Sequence, residues 1–324
     1  MKRVSAGMGL LIVLMATSLD AATVTYTDKM GRIIDIPVPV ERAVFFQTYE
    51  LLPVLDIWSK VVGIGSFAYT NDLMKAANPD IESIPSAGSG GDINMEVLVK
   101  LRPDNVILWP WKPENIRFMA EKGLRVIAIY PDSLADLYQV MRIHGTIFER
   151  ETKIDHAISA MEKIFSLIRE RAGRIPVEKK RKVLWLGGKM NSVSCGVGVT
   201  QDMFNMIGAV NPAGSISQRN TDVSTEQIVI WNPDVIFIWG NAGYTARDVR
   251  GQAQLRYVRA VKDGNVHKGP QWSTWSPRLA PIALWMAAKI YPEYYCDINI
   301  EKVTDEFYRD VFGIPYIKVN KIED

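Results

Sequence analysis

Between residues 149 and 172, Ile154, Ala157, Ile158, Met161, Ile164, Phe165 and Ile168 recur at steps of three and four. That spacing lays one apolar stripe along one face of a helix. Gly173 and Pro176 end it, and at 1.5 Å per residue it is about 35 Å long. On either side the pattern changes to short, almost wholly apolar runs at 43–46, 61–64, 106–109, 126–129, 183–186 and 235–239. Runs of this length without alternation read as strands buried on both faces, as in parallel sheets. They alternate with helical stretches in both halves, which predicts βαβ units. The fold expected is therefore α/β: two Rossmann-like lobes with parallel central sheets, at 23–148 and 174–324, joined by one long helix at 149–173.

The halves also repeat each other. The segment from Asn94 to Trp109 aligns without a gap on that from Ser224 to Trp239, and five of sixteen positions are identical. In each copy a polar N-cap (Asn94, Ser224) opens a short amphipathic helix. Pro103-Asp104 or Pro233-Asp234 stops it, because proline donates no hydrogen bond and pushes its predecessor out of the helical region. An apolar strand follows. Two lobes descended from one unit account for the constant offset of 130.

The N-terminus adds a compartment. Lys2 and Arg3 precede an apolar run from Met8 to Ala16, then small residues as far as Ala22. This is the layout of a secretory signal peptide, and the run is about half the length that spans a bilayer. Cleavage near residue 22 would export the chain to the periplasm, with no cysteine nearby for lipid attachment. Of 324 residues, 48% are hydrophobic and 23% charged, a globular composition. The net charge of +2 gives no basic excess for nucleic acid. Cys195 and Cys296 could pair after export, and the sequence leaves that open. His144, His156 and His267 lie far apart without ligand spacing, so no resident metal or cofactor is expected.

In open parallel sheets ligands bind beyond the carboxyl ends of the strands. That rule places Tyr49, Tyr69, Trp111, Asn191 and Asn241 on a ligand rim, with the loop carrying Trp272 and Trp275. Large aromatic rings with polar edges suit a bulky ligand. Arg278 is expected in the first turn of a helix capped by Ser276 and Pro277, where it and free N–H groups would hold an anion. Arg219 is a second candidate, and together the two favour an anionic ligand. Gly63-Ile-Gly65-Ser-Phe-Ala68 fits a dinucleotide fingerprint on paper, but Tyr69-Thr70-Asn71 is a poor start for the required helix. An NAD-dependent oxidoreductase is the enzyme alternative. Cys195 has no recognisable base and reads as a small buried residue.

Several stretches resemble the substrate-binding proteins of ABC importers for iron-siderophores, haem, cobalamin and related metal compounds. Asp28-Lys-Met-Gly31-Arg32 with Ile36-Pro37 is similar to that group's opening hairpin, and Lys60-Val-Val-Gly63-Ile-Gly65 to its second strand. Asn94-Met-Glu96 and Val223-Ser-Thr-Glu226 are similar to its paired helix starts, and Ala283 to Lys289 with Tyr291-Pro292 to its final helix. The resemblance covers nearly the whole exported chain. It implies a monomeric, non-enzymatic receptor that binds a small molecule between its lobes, such as an iron-siderophore. Haem, cobalamin, or a molybdate or tungstate oxyanion are alternatives for the same fold. It also implies an inner-membrane ABC permease with its ATPase as partner, gripped through Glu96 and Glu226.

Overall fold

The computed structural model describes residues 22–319, so the expected signal peptide lies, but for Ala22, outside the described residues. An antiparallel hairpin, β1 (Ala22–Thr27) and β2 (Ile33–Val38), opens the chain. The first lobe is built on β3 (Ala43–Phe45), β4 (Val61–Ile64), β5 (Asn105–Leu108) and β6 (Val126–Ala128), in the order β4-β3-β5-β6 and parallel throughout. The second lobe holds β7 (Val183–Leu186), β8 (Ser192–Ser194), β9 (Asn220–Asp222), β10 (Val235–Ile238) and β11 (Val266–Lys268), ordered β11-β10-β7-β8-β9. Here the parallel centre expected from the sequence carries an antiparallel edge. β11, β10 and β7 are parallel, but β8 and β9 join antiparallel. Those strands are three residues each and largely polar, so no apolar run marks them.

The internal repeat is a structural one. Helices Met95–Leu101 and Thr225–Trp231 start and stop at the same offset as β5 and β10. Asn94 and Ser224 accept the N–H of Val97 and Gln227, each at 3.1 Å. Arg102 and Asn232 close the helices in the left-handed region, at φ 47° and 44°. The aspartate of each Pro-Asp pair clasps the start of the neighbouring strand. The Asp104 carboxylate accepts the Arg42 N–H at 2.8 Å, and that of Asp234 accepts the Lys182 N–H at 2.7 Å.

One position breaks the symmetry. Asn105 opens β5 where Val235 opens β10, and both of its amide atoms are buried without a hydrogen-bond partner among the described residues. A buried unsatisfied amide costs about 1–3 kcal/mol. Asn105→Val, which copies the other lobe, is therefore expected to raise the urea unfolding midpoint. A lower midpoint would show that the amide has a partner.

Helix Glu151–Ala172 joins the lobes, and Ile154, Ala157, Met161, Phe165 and Ile168 on its stripe are fully buried. One continuous core takes in that stripe, Phe45 and Ile107 of the first sheet, and Trp185 and Phe237 of the second. The opposite sheet faces have separate cores, around Val106 and Leu108 in one lobe and Ile236 and Ile238 in the other. The chain does not finish in the second lobe. After Gln271 it reaches both lobes: Arg278 pairs with Glu50 and Asp72 of the first, Trp285 packs on Phe237 of the second, and helices Leu279–Ile290 and Ile300–Phe312 join the shared core. Shared packing on this scale makes the connection a brace.

Candidate ligand-binding cleft

The carboxyl ends of strands from both sheets converge on one cleft of about 860 Å³ between the lobes. Gln47 and Tyr49 follow β3, Trp109 and Trp111 follow β5, and Tyr130 follows β6. From the second lobe come Trp185 in β7, Trp239 and Asn241 after β10, and Arg219 with Asn220 at the start of β9. The returning segment Gln271–Trp275 closes one side. A clustered aromatic wall results. Trp275 lies 4.6 Å from Tyr130 and 5.1 Å from Trp109 between ring centroids, and Trp109 lies 5.4 Å from Trp111. Trp111 is 64% exposed, although a side chain of that size is usually well covered.

Of the expected rim residues, Tyr49, Trp111, Arg219, Asn241, Trp272 and Trp275 line this cleft, and Tyr69, Asn191 and Arg278 do not. The Tyr69 hydroxyl turns away and donates to the Ile84 carbonyl at 2.5 Å. The Asn191 main-chain carbonyl accepts the Val223 N–H at 2.9 Å. Trp109, Trp185 and Trp239 sit in or directly after apolar strands, and nothing in the sequence separates them from core residues.

Arg278 needs the largest revision. It is fully buried, and its guanidinium forks onto Asp72 at 2.7 and 2.8 Å. It also donates to Glu50 at 3.1 Å and to the Tyr308 hydroxyl at 2.6 Å. Burial alone would lower its pKa; Glu50, Tyr308 and Asp72 outweigh burial and raise it. Ser276 lies beside it, accepting the Arg278 N–H and donating to Glu50 at 2.6 Å. The Trp272 indole N–H donates to Asp72 at 3.1 Å. Arg278 thus ties the cleft loop to the first lobe and presents no charge to the cleft.

Arg219 is the only charged side chain among the described residues lining the cleft. Its guanidinium lies 4.0 Å over the Tyr130 ring and pairs with Asp132 through Nε and, at 2.9 Å, through Nη2. Gln47 and Tyr49 flank Thr48, held at φ 55°. The buried His144 steadies that turn, with Nε2 3.0 Å from the Thr48 hydroxyl and Nδ1 2.6 Å from the Val140 carbonyl. A carbonyl only accepts, so Nδ1 carries the proton. Burial pushes the imidazole down to about 4 and keeps it neutral at pH 7.

No group of three metal-ligating side chains is assembled among the described residues. Cys195 is buried, Cys296 is exposed, and both are free thiols. The dinucleotide reading fails on geometry. β4 runs into a 3-10 turn, Ser66–Thr70, and the six-residue helix after it starts only at Asp72, whose carboxylate is bound to Arg278, so no helix N-terminus follows the glycines to receive a pyrophosphate. Gly65 is close-packed, since a Cβ there would lie 3.2 Å from the Phe46 backbone. In a second depression of about 760 Å³ beside the linker helix, Lys153 pairs with Asp56 and His156 lies 2.9 Å from Asp310.

Glu96 and Glu226 occupy the second positions of the repeated helices. Both are exposed, and neither has an ion pair among the described residues. Each helix leads into a strand lying against it, so its N-terminus falls at the carboxyl-end side of the sheet, where the cleft opens.

Known proteins share this construction. The family model described as "Periplasmic binding protein" matches residues 43–271. The molybdate-binding protein MolA of Haemophilus influenzae is 24% identical over 341 residues, spanning 95% of this chain and 97% of its own. The Fe(3+)-citrate-binding protein YfmC of Bacillus subtilis is 23% identical over 239 residues, 73% of this chain and 75% of its own. The crystal structure of Helicobacter pylori CeuE with Ni(II) bound superposes with a TM-score of 0.81 at 25% identity, covering 91% of this chain and 98% of that one.

Proposed function

Because the chain belongs to the periplasmic binding protein family, we propose that it is the solute-binding component of an ABC importer, taking a bulky metal chelate into the interlobe cleft. One observation carries the choice of ligand: a cleft of about 860 Å³ walled by Trp109, Trp111, Tyr130, Trp185, Trp239 and Trp275. That volume is in the range of sites for drug-sized ligands and cofactors. Its walls offer ring faces and amide edges to an organic shell, which suits an iron-siderophore, haem or a corrinoid. Exported to the periplasm, the protein makes and breaks no bond; capture and delivery are its whole task.

A second reading, a small oxyanion, is favoured by the similarity to MolA along 95% of the chain, with Arg219 as the cation it would have to take from Asp132. A four-oxygen anion would leave most of the aromatic wall in water. Delivery rests on Glu96 and Glu226, one per lobe, free to meet cationic side chains of a permease. Opposite charges across such an interface set orientation and association rate more than affinity. The shared core predicts a small change of lobe angle on binding.

Metal analysis with visible absorbance on protein isolated from its native host tests the ligand assignment. The expected result is a coloured chelate with one metal per protein. Molybdenum without colour would replace the chelate by the oxyanion, and a colourless, metal-free organic ligand would contradict both.

A further inference from the structure

We propose that Asp132 sets the charge selectivity of the cleft: by holding Arg219, it makes the site accept chelates of little net charge and resist polyanions. The inference deepens the chelate reading above and rests on it.

The argument begins with where the charges sit. Arg219 belongs to the second lobe and Asp132 follows β6 of the first, so the pair closes across the cleft. Two guanidinium nitrogens face the carboxylate, and the flat side of the same group is covered by Tyr130 at 4.0 Å. Such a forked pair is stronger than a single contact and fixes the guanidinium plane. Asp132 is held in turn. Lys29 from the hairpin reaches it at 2.7 Å, and Lys29 also reaches Asp136 at 3.1 Å. Two cations are therefore matched by two carboxylates, and the cleft gains no net positive charge from this corner. The segment carrying Asp132 is pinned to the second lobe, because the Leu134 N–H donates to the Asp202 carboxylate at 2.7 Å. Asp132 cannot withdraw without breaking that contact or the hairpin's.

An incoming anion must take Arg219 from a preorganised carboxylate, and its apparent affinity falls by the fraction of molecules in which Arg219 is free. An uncharged chelate meets no such competition and can lay a face on the tryptophans with the pair intact. Arg219 alone would favour anions; Arg219 paired with Asp132 does not.

The test compares Asp132→Asn, Arg219→Gln and the double variant with wild type. Tryptophan fluorescence is titrated with molybdate, with ferric citrate and with ferrichrome, an uncharged ferric trihydroxamate. In Asp132→Asn, binding of molybdate and ferric citrate relative to ferrichrome is expected to rise roughly tenfold or more. Arg219→Gln in the same chain is expected to cancel that rise. A ratio unchanged within threefold in Asp132→Asn overturns the inference, as does a rise that survives in the double variant. If wild type binds no chelate, the reading under Proposed function has failed. Molybdate then judges Asp132 alone: tighter binding in Asp132→Asn supports the inference, and none in either protein overturns it.

Discussion

Arg278→Met is expected to destabilise the protein by about 3–5 kcal/mol, the range for removing one partner of a buried ion pair. The guanidinium is fully enclosed and satisfies Asp72 by two hydrogen bonds and Glu50 by one. Methionine fills similar space and takes from the Glu50 and Asp72 carboxylates the buried guanidinium that now faces both of them. Chemical denaturation followed by far-UV circular dichroism reads the loss. Adding Glu50→Gln and Asp72→Asn to Arg278→Met is expected to recover much of it, because amides carry no charge to strand. The cleft feels the change too. Trp272 bonds to Asp72, and the Ser273 N–H donates to Glu50 at 3.3 Å, so the loop on which Trp275 stands is fixed by the same cluster. Unfolding at the wild-type midpoint would show that the cluster carries no such charge burden.

That cluster also marks where the sequence stops being legible. Helix periodicity located the brace, because a stripe at steps of three and four survives any tertiary context. The repeat located the paired helices and strands to the residue, since capping asparagine or serine and the Pro-Asp stop are local chemistry. Arg278 was expected inside the first turn behind a Ser276 cap, but it stands one residue before helix Leu279–Ile290, at the cap position, and in a different environment from the one inferred. Its partners Glu50 and Asp72 lie more than 200 positions away, on short helical segments whose meeting only the completed fold decides. The same limit applies to Trp109 and Trp239. A tryptophan ending a buried strand looks like core in any local window, and it becomes a cleft wall only because the second lobe faces it. Asp132 carries no signal at all until Arg219 stands opposite.

Losing the ion pair at Arg278 would also change what the cleft can hold, but it would say little about delivery. On the docking reading proposed above, delivery depends on the duplication itself. The repeat gives each lobe one exposed glutamate at the same helical position, without an ion pair among the described residues, on the side where the strands end. A first-turn carboxylate already gains something from the helix dipole, about 0.3–1 kcal/mol. That gain would be met by one lobe as well as by two. On the docking reading, a permease with two similar halves would use both.

The measurement that bears most directly on this account is ligand uptake by cells carrying Glu96→Ala together with Glu226→Ala, set beside the ligand affinity of the same purified variant. Uptake is expected to fall to the level of cells lacking the protein, while affinity stays within about threefold, since neither glutamate lines the cleft. Normal uptake by the double variant would contradict the account.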